Sequence, residues 1–407
     1  MNILFVADVS IYSVIGGAER VLYEQTTRLA RKGHHVHVLT RKLPEHHSNR
    51  ETIQGVHEWR YVVEWKNAVS FLKSTLSNGR ILFEDLQENN PFDCINFHQP
   101  FSAYGVIQSP MSLSIKKVYT CHSLSFEEYQ SRNPKPQTIM EKASFQTNIQ
   151  GRKRIEKKAL GASEIIVTLS KFTKDKLCNT YGISSDKIVV IPGGVDLGRF
   201  YPTAARMRIR KRLDIPTDHT ILLSVRNLVP RMGLENLIHA MRDVVSRIEN
   251  ITLLLGGSGP LKKELIALSR KLGLENHIRF IGFIPEHDLP DYYRASDLFI
   301  LPTFELEGFG LVTLEALASG IPVLGTPVGG TVEILKHFDP RYIFRSAKAE
   351  DMSDLIIETC LRFKENPVQW ERISAYCRRF VEQNYSWEKN VDELETILLG
   401  NFQKARP

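Results

Sequence analysis

Two glutamates with seven residues between them flank a glycine-rich turn in the second half of the chain. The segment begins Glu307-Gly308-Phe309-Gly310 and reaches the second glutamate at Glu315. It follows an apolar run typical of a buried strand, so the turn is expected at the carboxyl edge of a parallel sheet, where open sheets bind ligands. Glu315 would lie about two turns down the next helix. A carboxylate at that place can bind two vicinal hydroxyls of a ribose or hexose. The alternative is that Glu307 only caps the helix and that Glu315 is a buried residue with a local partner.

The first loop of the chain also carries glycines that could serve a ligand. It reads Ile15-Gly16-Gly17 immediately before a predicted helix. Glycines let a ligand approach the backbone, and the helix start offers N–H groups that suit a diphosphate. The alternative is a tight strand-to-helix turn, because the loop lacks the G-x-G-x-x-G spacing of a dinucleotide site.

These residues depend on elements that the apolar pattern predicts. Buried-type strands alternate with amphipathic helices, which is typical of α/β folds with parallel sheets covered on both faces. Strands are predicted at 2–8, 35–41, 93–99, 116–122, 164–170, 187–192, Thr220–Val225, Ile251–Leu255, Ile278–Ile284, Leu298–Leu301, Pro322–Gly325 and Tyr342–Arg345. A helix is predicted over Gly17–Lys32, with Gly33 as its stop signal. Segment 42–90 shows no clean period and stays unassigned.

The length predicts two domains, because single hydrophobic cores stop growing at about 250–300 residues and this chain has 407. The stretch Pro192–Asp196 interrupts the pattern of strands and helices. We therefore expect a first domain over 1–200 and a second over 201–385. A last helix, about 386–407, has no strand after it and is expected to pack back onto the first domain.

The composition limits the class of protein. Hydrophobic residues make up 42% of the chain and charged residues 24%, close to globular averages. The apolar start lacks a basic leader and is interrupted by Asp8, and no uncharged apolar run approaches the roughly 18 residues that span a bilayer. We expect a soluble, cytoplasmic protein. Its five cysteines show no C-x-x-C spacing, which argues against a zinc or redox site.

The chain has a net charge of +7, and two stretches of it are rich in lysine and arginine, Arg152–Lys158 and Arg206–Arg212. They are either solvated helix faces or binding surfaces for an anionic partner, such as a phosphorylated lipid, an acidic glycan or a membrane surface. Peripheral association with the inner membrane face is one expectation from these patches. No nucleic-acid partner is predicted.

The run from Glu307 to Ala316 resembles the E-x7-E signature of the family 4 retaining glycosyltransferases. That family has the GT-B fold, two facing Rossmann-like domains with the donor in the cleft between them. Other marks of the family follow in the same order along nearly the whole chain, namely Gly16–Glu19, Thr120–His122, Ser170–Thr173, Pro192–Asp196, Gly257–Pro260, Ala295–Asp297, Gly320–Val323, Gly329-Gly330 and Glu333.

The resemblance implies a role for each candidate residue. Glu315 would bind the donor ribose, and Glu307 with the backbone of 308–310 would hold the transferred sugar. The remaining donor contacts would be the amides of Leu311 and Val312 with Gly16 and Gly17 at the diphosphate, and Phe283 with Ile284 at the nucleobase. His122 matches the histidine that contacts the donor sugar. Without that match, a lone histidine at a strand end such as His122 is more often a satisfied polar residue. His98, which ends the preceding strand at the same sheet edge, is a candidate for the acceptor side.

The chain departs from the family at the diphosphate cations. The family has an arginine in G-R-L and a lysine in K-G, whereas this chain reads Arg226-Asn227-Leu228 and Arg231-Met232-Gly233. Each cation stands one place earlier. We expect Arg226 and Arg231 to replace the usual pair, because a guanidinium can bind a phosphate through two donors, unless either is only a surface charge.

The resemblance therefore implies a retaining, metal-independent transferase that moves a hexose from a nucleotide diphosphate sugar. A UDP-sugar is the first expectation and a GDP-sugar the second. The acceptor would be a glycan, a lipid-linked or a small molecule, in polysaccharide or glycoconjugate synthesis, and no cofactor is implied. The rival interpretations are a nucleotide-sugar epimerase and a non-catalytic nucleotide-sugar-binding protein on the same fold.

Overall fold

The computed structural model describes residues 1–13, 16–133 and 136–400. Its strands are β1 (Asn2–Val6), β2 (His35–Arg41), β3 (Arg50–Ile53), β4 (Val56–Tyr61), β5 (Cys94–Phe97), β6 (Lys116–Cys121), β7 (Ile165–Thr168), β8 (Ile188–Val190), β9 (Thr220–Val225), β10 (Ile251–Gly256), β11 (Ile278–Gly282), β12 (Leu298–Leu301) and β13 (Val323–Gly325). Its α-helices are α1 (Gly17–Arg31), α2 (Ala68–Asn89), α3 (Pro100–Ile107), α4 (Ser125–Arg132), α5 (Ile139–Ala162), α6 (Lys171–Tyr181), α7 (Arg206–Arg212), α8 (Leu234–Arg247), α9 (Lys262–Lys271), α10 (Leu289–Ala295), α11 (Leu311–Ala318), α12 (Thr331–Phe338), α13 (Ala349–Glu365), α14 (Pro367–Asn384) and α15 (Trp387–Leu398). None of these helices is long and apolar enough to cross a lipid bilayer.

The chain divides into two compact units, of which unit 1 contains Met1–Pro192 and the chain from Trp387 onward. Its sheet has the order β3-β4-β2-β1-β5-β6-β7-β8, and the strands pair in parallel except for the β3–β4 hairpin. The inner strands are apolar on both faces, as expected for a parallel sheet between helix layers. The direction of winding reverses between β1 and β5, which makes the loops after these strands a crevice for ligands.

Unit 2 is Gly193–Ser386, and its parallel sheet has the order β11-β10-β9-β12-β13. Here the winding reverses between β9 and β12. The loops after these two strands therefore separate in opposite directions and leave a crevice at the carboxyl edge. Both units thus have the α/β architecture of parallel sheets covered by helices that the sequence predicts.

The last helix, α15, belongs to unit 1 and packs against α1. Its buried Asn390 accepts from Gln25 Nε2 at 3.1 Å and donates to the carbonyl of Pro192 at 2.8 Å. Leu394 is fully buried in the same apolar cluster as Phe5. The predicted helix extended to 407, but residues 401–407 lie outside the described part of the chain, and α15 ends at Leu398.

Every predicted strand except one is present. The prediction for Tyr342–Arg345 was wrong: Pro340–Tyr342 forms a 3-10 turn, and a single bridge joins Gly325 to Ile343. Asp339 caps this turn by accepting from the Arg341 amide at 3.0 Å. Pro340 at the first turn position is preorganised for a helical rather than an extended backbone, so the local sequence favours the turn.

The unassigned segment 42–90 contains the β3–β4 hairpin and α2. The hairpin turns on Gln54 and Gly55, whose φ angles are +50° and +83°, as a two-residue type I′ turn requires. Helix α2 begins with a capping box in which Asn67 accepts from the Ser70 amide and Ser70 Oγ accepts from the Asn67 amide. Both signals are visible in the sequence, although no apolar period accompanies them.

Candidate active site

Arg226 follows β9 and Glu307 lies in the loop after β12, so the switch point of unit 2 brings the two side chains together. Arg226 Nη2 donates to Glu307 Oε2, and the hydroxyl of Thr303 donates to the same oxygen at 3.2 Å. Arg226 and Glu307 are each 9% exposed. Burying either charge alone would be costly, so each makes the burial of the other tolerable.

The Arg226 side chain also lies against Met232, with Nε 3.2 Å from the sulfur. Met232 ends the 3-10 turn Pro230–Met232, and Gly233 follows with φ +68°. A Cβ on Gly233 would stand 2.0 Å from the carbonyl oxygen of Pro302. The turn after β9 is therefore in close contact with the loop after β12, and the guanidinium lies between them.

Arg231 supports the backbone that leads to Glu307. Its carbonyl accepts from the amides of Phe304 at 2.9 Å and Glu305 at 3.1 Å, while its Nη1 donates to the carbonyl of Leu306 at 2.7 Å. Leu306 has φ +61°, a left-handed conformation that costs a residue with a Cβ about 1–2 kcal/mol. The bonds from Arg231 help to hold this strained residue next to Glu307.

The other side of Glu307 meets a glycine turn. The Gly330 amide donates to the carbonyl of Glu307 at 2.8 Å. Gly329 has φ +75°, and a Cβ there would lie 2.2 Å from the same carbonyl oxygen. Glycine at 329 thus permits both the backbone conformation and the close approach to Glu307.

Helix α11 begins after Gly310, which has φ +91°. The described residues provide no side-chain cap for this helix, so the amides of its first turn, at Leu311 and Val312, can donate to an anionic ligand. Glu315 lies one turn into α11, where two turns had been predicted, because the helix starts only after the glycines. Gly308, Phe309 and Gly310 form the turn itself.

Glu315 is half-buried and binds the hydroxyl of Tyr293, which donates to Oε2 at 2.9 Å. Burial, together with the Glu315 charge, raises the pKa of Tyr293 well above its usual value. The tyrosine therefore stays protonated and remains a donor. A local partner was the alternative interpretation for Glu315, and Tyr293 is such a partner, while the glutamate as a whole is half-buried.

The two candidate nucleobase contacts follow β11 and differ in exposure. Phe283 is 59% exposed and presents its ring to solvent. Ile284 is buried and lies over Gly256, where its Cδ1 would be 2.5 Å from an added Cβ. Phe283 is thus the residue that can stack on a base, and Ile284 supports the strand end behind it.

In unit 1 the two candidate histidines meet at the ends of the paired strands β5 and β6. His122 Nε2 lies 3.0 Å from His98 Nδ1, so one ring donates to the other. Burial lowers the pKa of His122 to about 4, partly opposed by Glu128, and lowers that of His98 well below its usual value. Both rings are neutral near pH 7. Nowhere in 1–13, 16–133 and 136–400 do three His, Cys, Asp or Glu side chains cluster as metal ligands would.

The candidate diphosphate turn of unit 1 begins at Ile15, which lies outside the described residues. Gly16 is the N-cap of α1 and Gly17 its first residue. The carboxylate of Glu19 folds back over this helix start, with Oε2 2.7 Å from where a Cβ on Gly16 would stand. Burial raises the pKa of Glu19, opposed by bonds from the backbone amides of Glu19 and Gly16. The Glu19 carboxylate therefore lies close to the first turn of α1.

Sequence reasoning missed Tyr293, Thr303 and the close contact of Gly329 with Glu307. Thr303 stands four residues before Glu307 in the same loop, so its position could have been noticed. Tyr293 reaches Glu315 only through the packing of α10 on α11, which no local pattern indicates.

Comparison with known proteins gives two family matches that together span most of the chain. The model described as "Glycosyltransferase Family 4" matches residues 15–199, and the one described as "Glycosyl transferases group 1" matches residues 205–398. In structure, the chain is similar to sucrose-phosphate synthase from Thermosynechococcus elongatus, with a TM-score of 0.81, 22% identity, and coverage of 98% of this chain and 99% of that one.

Two relatives are similar in sequence over different shares of the chain. A GDP-mannose-dependent alpha-(1-6)-phosphatidylinositol monomannoside mannosyltransferase from Mycobacterium tuberculosis is 27% identical over 246 residues, which are 59% of this chain and 62% of that protein. Mannosylfructose-phosphate synthase from Agrobacterium fabrum is 26% identical over 366 residues, covering 86% of this chain and 75% of that protein.

Proposed function

The chain belongs to the family 4 glycosyltransferases of the GT-B fold, and from this premise we propose that it transfers a hexose from a nucleotide diphosphate sugar to an acceptor. The observation that carries the proposal is the arrangement at the β9–β12 switch point. A buried Arg226–Glu307 pair and a tyrosine-oriented Glu315 flank the uncapped start of α11 there. The amides at the start of α11, which can donate hydrogen bonds to an anion, thus lie between two carboxylates that can bind hydroxyls.

In this proposal Glu315 binds the ribose and Glu307, with the backbone of 308–310, binds the transferred sugar. The diphosphate between them receives the amides of Leu311 and Val312, and Phe283 stacks on the base. Within unit 1, we propose that the amides of Gly16 and Gly17 at the start of α1 donate to an anionic group of a ligand. His122, which is neutral, donates a hydrogen bond to a sugar hydroxyl, and His98 fixes its tautomer through their shared bond.

Arg226 is the cation best placed to serve the diphosphate. Its guanidinium lies against Met232, the residue that stands where the family lysine is expected. Arg231 instead holds Leu306 and thereby the loop of Glu307. We therefore assign charge stabilisation of the departing phosphate chiefly to Arg226, and positioning of the loop chiefly to Arg231.

The reaction would retain the anomeric configuration without a metal ion. The bond from the anomeric carbon to the phosphate breaks, the acceptor oxygen attacks the same face, and the departing phosphate oxygen takes the acceptor proton. Glu307 is already paired with Arg226, so we propose that it positions the sugar and forms no covalent intermediate.

The donor and acceptor classes can be tested together. One relative is GDP-mannose-dependent, so we propose GDP-mannose as a donor candidate beside a UDP-sugar. The proposed acceptor is a glycan, a lipid-linked molecule or a small molecule. Thermal unfolding with UDP-, GDP- and ADP-sugars would identify the donor, because a ligand at 100 times its Kd adds about 2.7 kcal/mol of stability.

Sugar transfer is then measured by analysing the products formed with and without acceptor, both in excess EDTA and in the presence of magnesium. We expect activity in EDTA and an unchanged anomer. An altered sugar formed without acceptor would indicate an epimerase, and stabilisation without any product would indicate a binding protein. Glu315→Gln is expected to weaken donor binding, and Glu305→Gln, which removes an exposed carboxylate from the preceding loop, is expected to bind the donor as wild type does.

A further inference from the structure

Unit 2 contains a basic cavity whose lining includes none of the residues of the candidate active site. It has a volume of about 450 Å³ and lies between α7 and α10. Its lining includes Arg208, Arg212, Arg294, Asp291, Tyr201 and Thr203. Cavities of about 300–1,000 Å³ commonly hold small molecules, so both the size and the charge of this one suit a ligand.

The basic run of α7 divides between two faces. Arg206 and Arg210 point to one side, where both bind Asp297 at 3.0 and 2.6 Å. Arg208 and Arg212, four residues apart, line the cavity on the other side. Like charges at this helical spacing repel each other, and an anion between them would remove that repulsion.

The cavity has more positive than negative charge. Asp291 is the only acid in its lining, and it is shared by Arg212 and by Arg294, whose Nη1 lies at 2.9 Å. Arg208 is exposed and has no ion pair within the described residues. Three arginines against one aspartate leave a charge of +2.

We propose that this cavity is a binding site for a phosphomonoester. A phosphomonoester carries about −1.5 to −2 charges at pH 7 and three acceptor oxygens, and guanidinium groups bind phosphate through paired donors. Thr203 adds a hydroxyl. Tyr201, whose ring stacks on Arg294 at 3.9 Å, and Ile209 supply walls for the carbon skeleton of a small phosphorylated sugar or for the glycerol of a phospholipid headgroup.

The test is calorimetric titration of the full chain with inorganic phosphate, glucose 6-phosphate and glucose. Wild-type protein is expected to bind both phosphates and not glucose. Arg208→Ala and Arg212→Ala are each expected to weaken binding about tenfold, the size of one lost charged hydrogen bond, and the double variant more. Lys211→Ala removes the same charge from the same helix outside the cavity lining and should bind as wild type.

Wild-type affinity in the double variant would overturn the proposal, because phosphate would then be bound elsewhere, including at the β9–β12 edge. The proposal would also fall if wild-type protein bound neither the phosphates nor vesicles. Flotation with phosphatidic acid and phosphatidylcholine vesicles distinguishes the sources of the ligand. If the protein binds vesicles of phosphatidic acid but not of phosphatidylcholine, and the double variant binds neither, the cavity is assigned to a lipid headgroup. Arg208→Ala, which breaks no ion pair, serves as the test if the double variant does not fold.

Discussion

At the scale of single residues, Arg226 and Glu307 combine a structural and a proposed chemical role. Each is charged and buried, and each neutralises the other. A guanidinium has five N–H donors, so Arg226 can bind Glu307 and a phosphate at the same time. Replacing Glu307 together with Arg226 should therefore separate the structural role of the arginine from its chemical role.

We predict that Arg226→Ala lowers the free energy of unfolding by about 3–5 kcal/mol, because it leaves the Glu307 carboxylate buried without its partner. Adding Glu307→Gln should recover most of that loss but not kcat/KM. Urea unfolding and transfer kinetics measure the two effects. The control is Arg242→Ala, which removes an exposed pair with Asp243. If the double variant recovered activity too, Arg226 would serve only to balance Glu307.

A second prediction concerns the hydroxyl that orients Glu315. Tyr293→Phe removes one hydrogen bond to the carboxylate, worth about 0.5–1.5 kcal/mol or somewhat more because the acceptor is charged. Donor nucleotide affinity, measured by calorimetry, is expected to fall several-fold. Tyr292→Phe, the adjacent residue on α10, should leave affinity unchanged. Equal affinities for both variants would mean that Tyr293 does not position Glu315 for binding.

A buried carboxyl in unit 1 gives a prediction on pH. Glu156 on α5 accepts from the Ser125 amide and the Tyr181 hydroxyl, and burial raises its pKa from 4.5 to about 7. Between these two values the unfolded chain releases the proton that the folded chain keeps, so stability falls as the pH rises and levels off above about 7.

Glu156→Gln keeps an acceptor without the ionisation. Its stability relative to wild type is expected to increase from pH 5 to pH 8 in urea unfolding. Glu164→Gln, at an exposed position of the same unit, should follow the wild-type profile. Parallel profiles for Glu156→Gln and wild type would show that Glu156 does not titrate in this range.

At the scale of elements, the loop of Glu307 depends on the glycine turn behind it. Gly329→Ala meets both an unfavourable φ and a collision with the Glu307 carbonyl. Gly273→Ala has nearly the same backbone angle, φ +69°, with nothing within 4 Å of the added Cβ. We predict that both variants lose the roughly 1 kcal/mol of an alanine in this conformation, and that only Gly329→Ala also loses transfer activity and further stability. Equal losses would show that the turn does not position Glu307.

The elements that position the site could be predicted where local sequence decides them. Continuous apolar runs predicted β9 and β12, and the glycine-rich turn predicted before α11 is present, with a positive φ at Gly310. The predicted Glu307 and Glu315 stand on the loop and helix expected for them. The partners of these residues depend on strand order and helix packing, and the sequence contains no local signal for either.

Two features show where local patterns are insufficient. The hairpin β3–β4 lies at the edge of its sheet and stayed unassigned, because no clean apolar period accompanies it. The Tyr342–Arg345 segment is apolar enough for a strand, although Asp339 and Pro340 just before it favour a turn. The Arg226–Glu307 pair was not predicted, since the sequence only indicated that the cations had moved one place.

At the scale of the whole molecule, the chain leaves unit 1 at Pro192, forms unit 2 and returns to unit 1 at Trp387. Helix α15 is therefore part of the unit 1 core although it is remote in sequence. Besides the buried Asn390, exposed ion pairs from Lys32 to Asp392 and Glu395 join it to the end of α1. Such exposed pairs contribute little, so the apolar face of α15 should carry most of its stabilisation.

The last prediction tests whether the apolar face of α15 stabilises unit 1. Leu394 is fully buried beside residues of β1 and β2, so Leu394→Ala is expected to cost about 2–5 kcal/mol. Because the lost contacts belong to unit 1, amide hydrogen exchange should accelerate in β1 and β2 while β10 of unit 2 keeps its wild-type protection. Thr396→Ala, on the exposed face of the same helix, should leave both unchanged. Equal acceleration in β10 would show that the two units unfold together, and that α15 stabilises the chain as one cooperative structure.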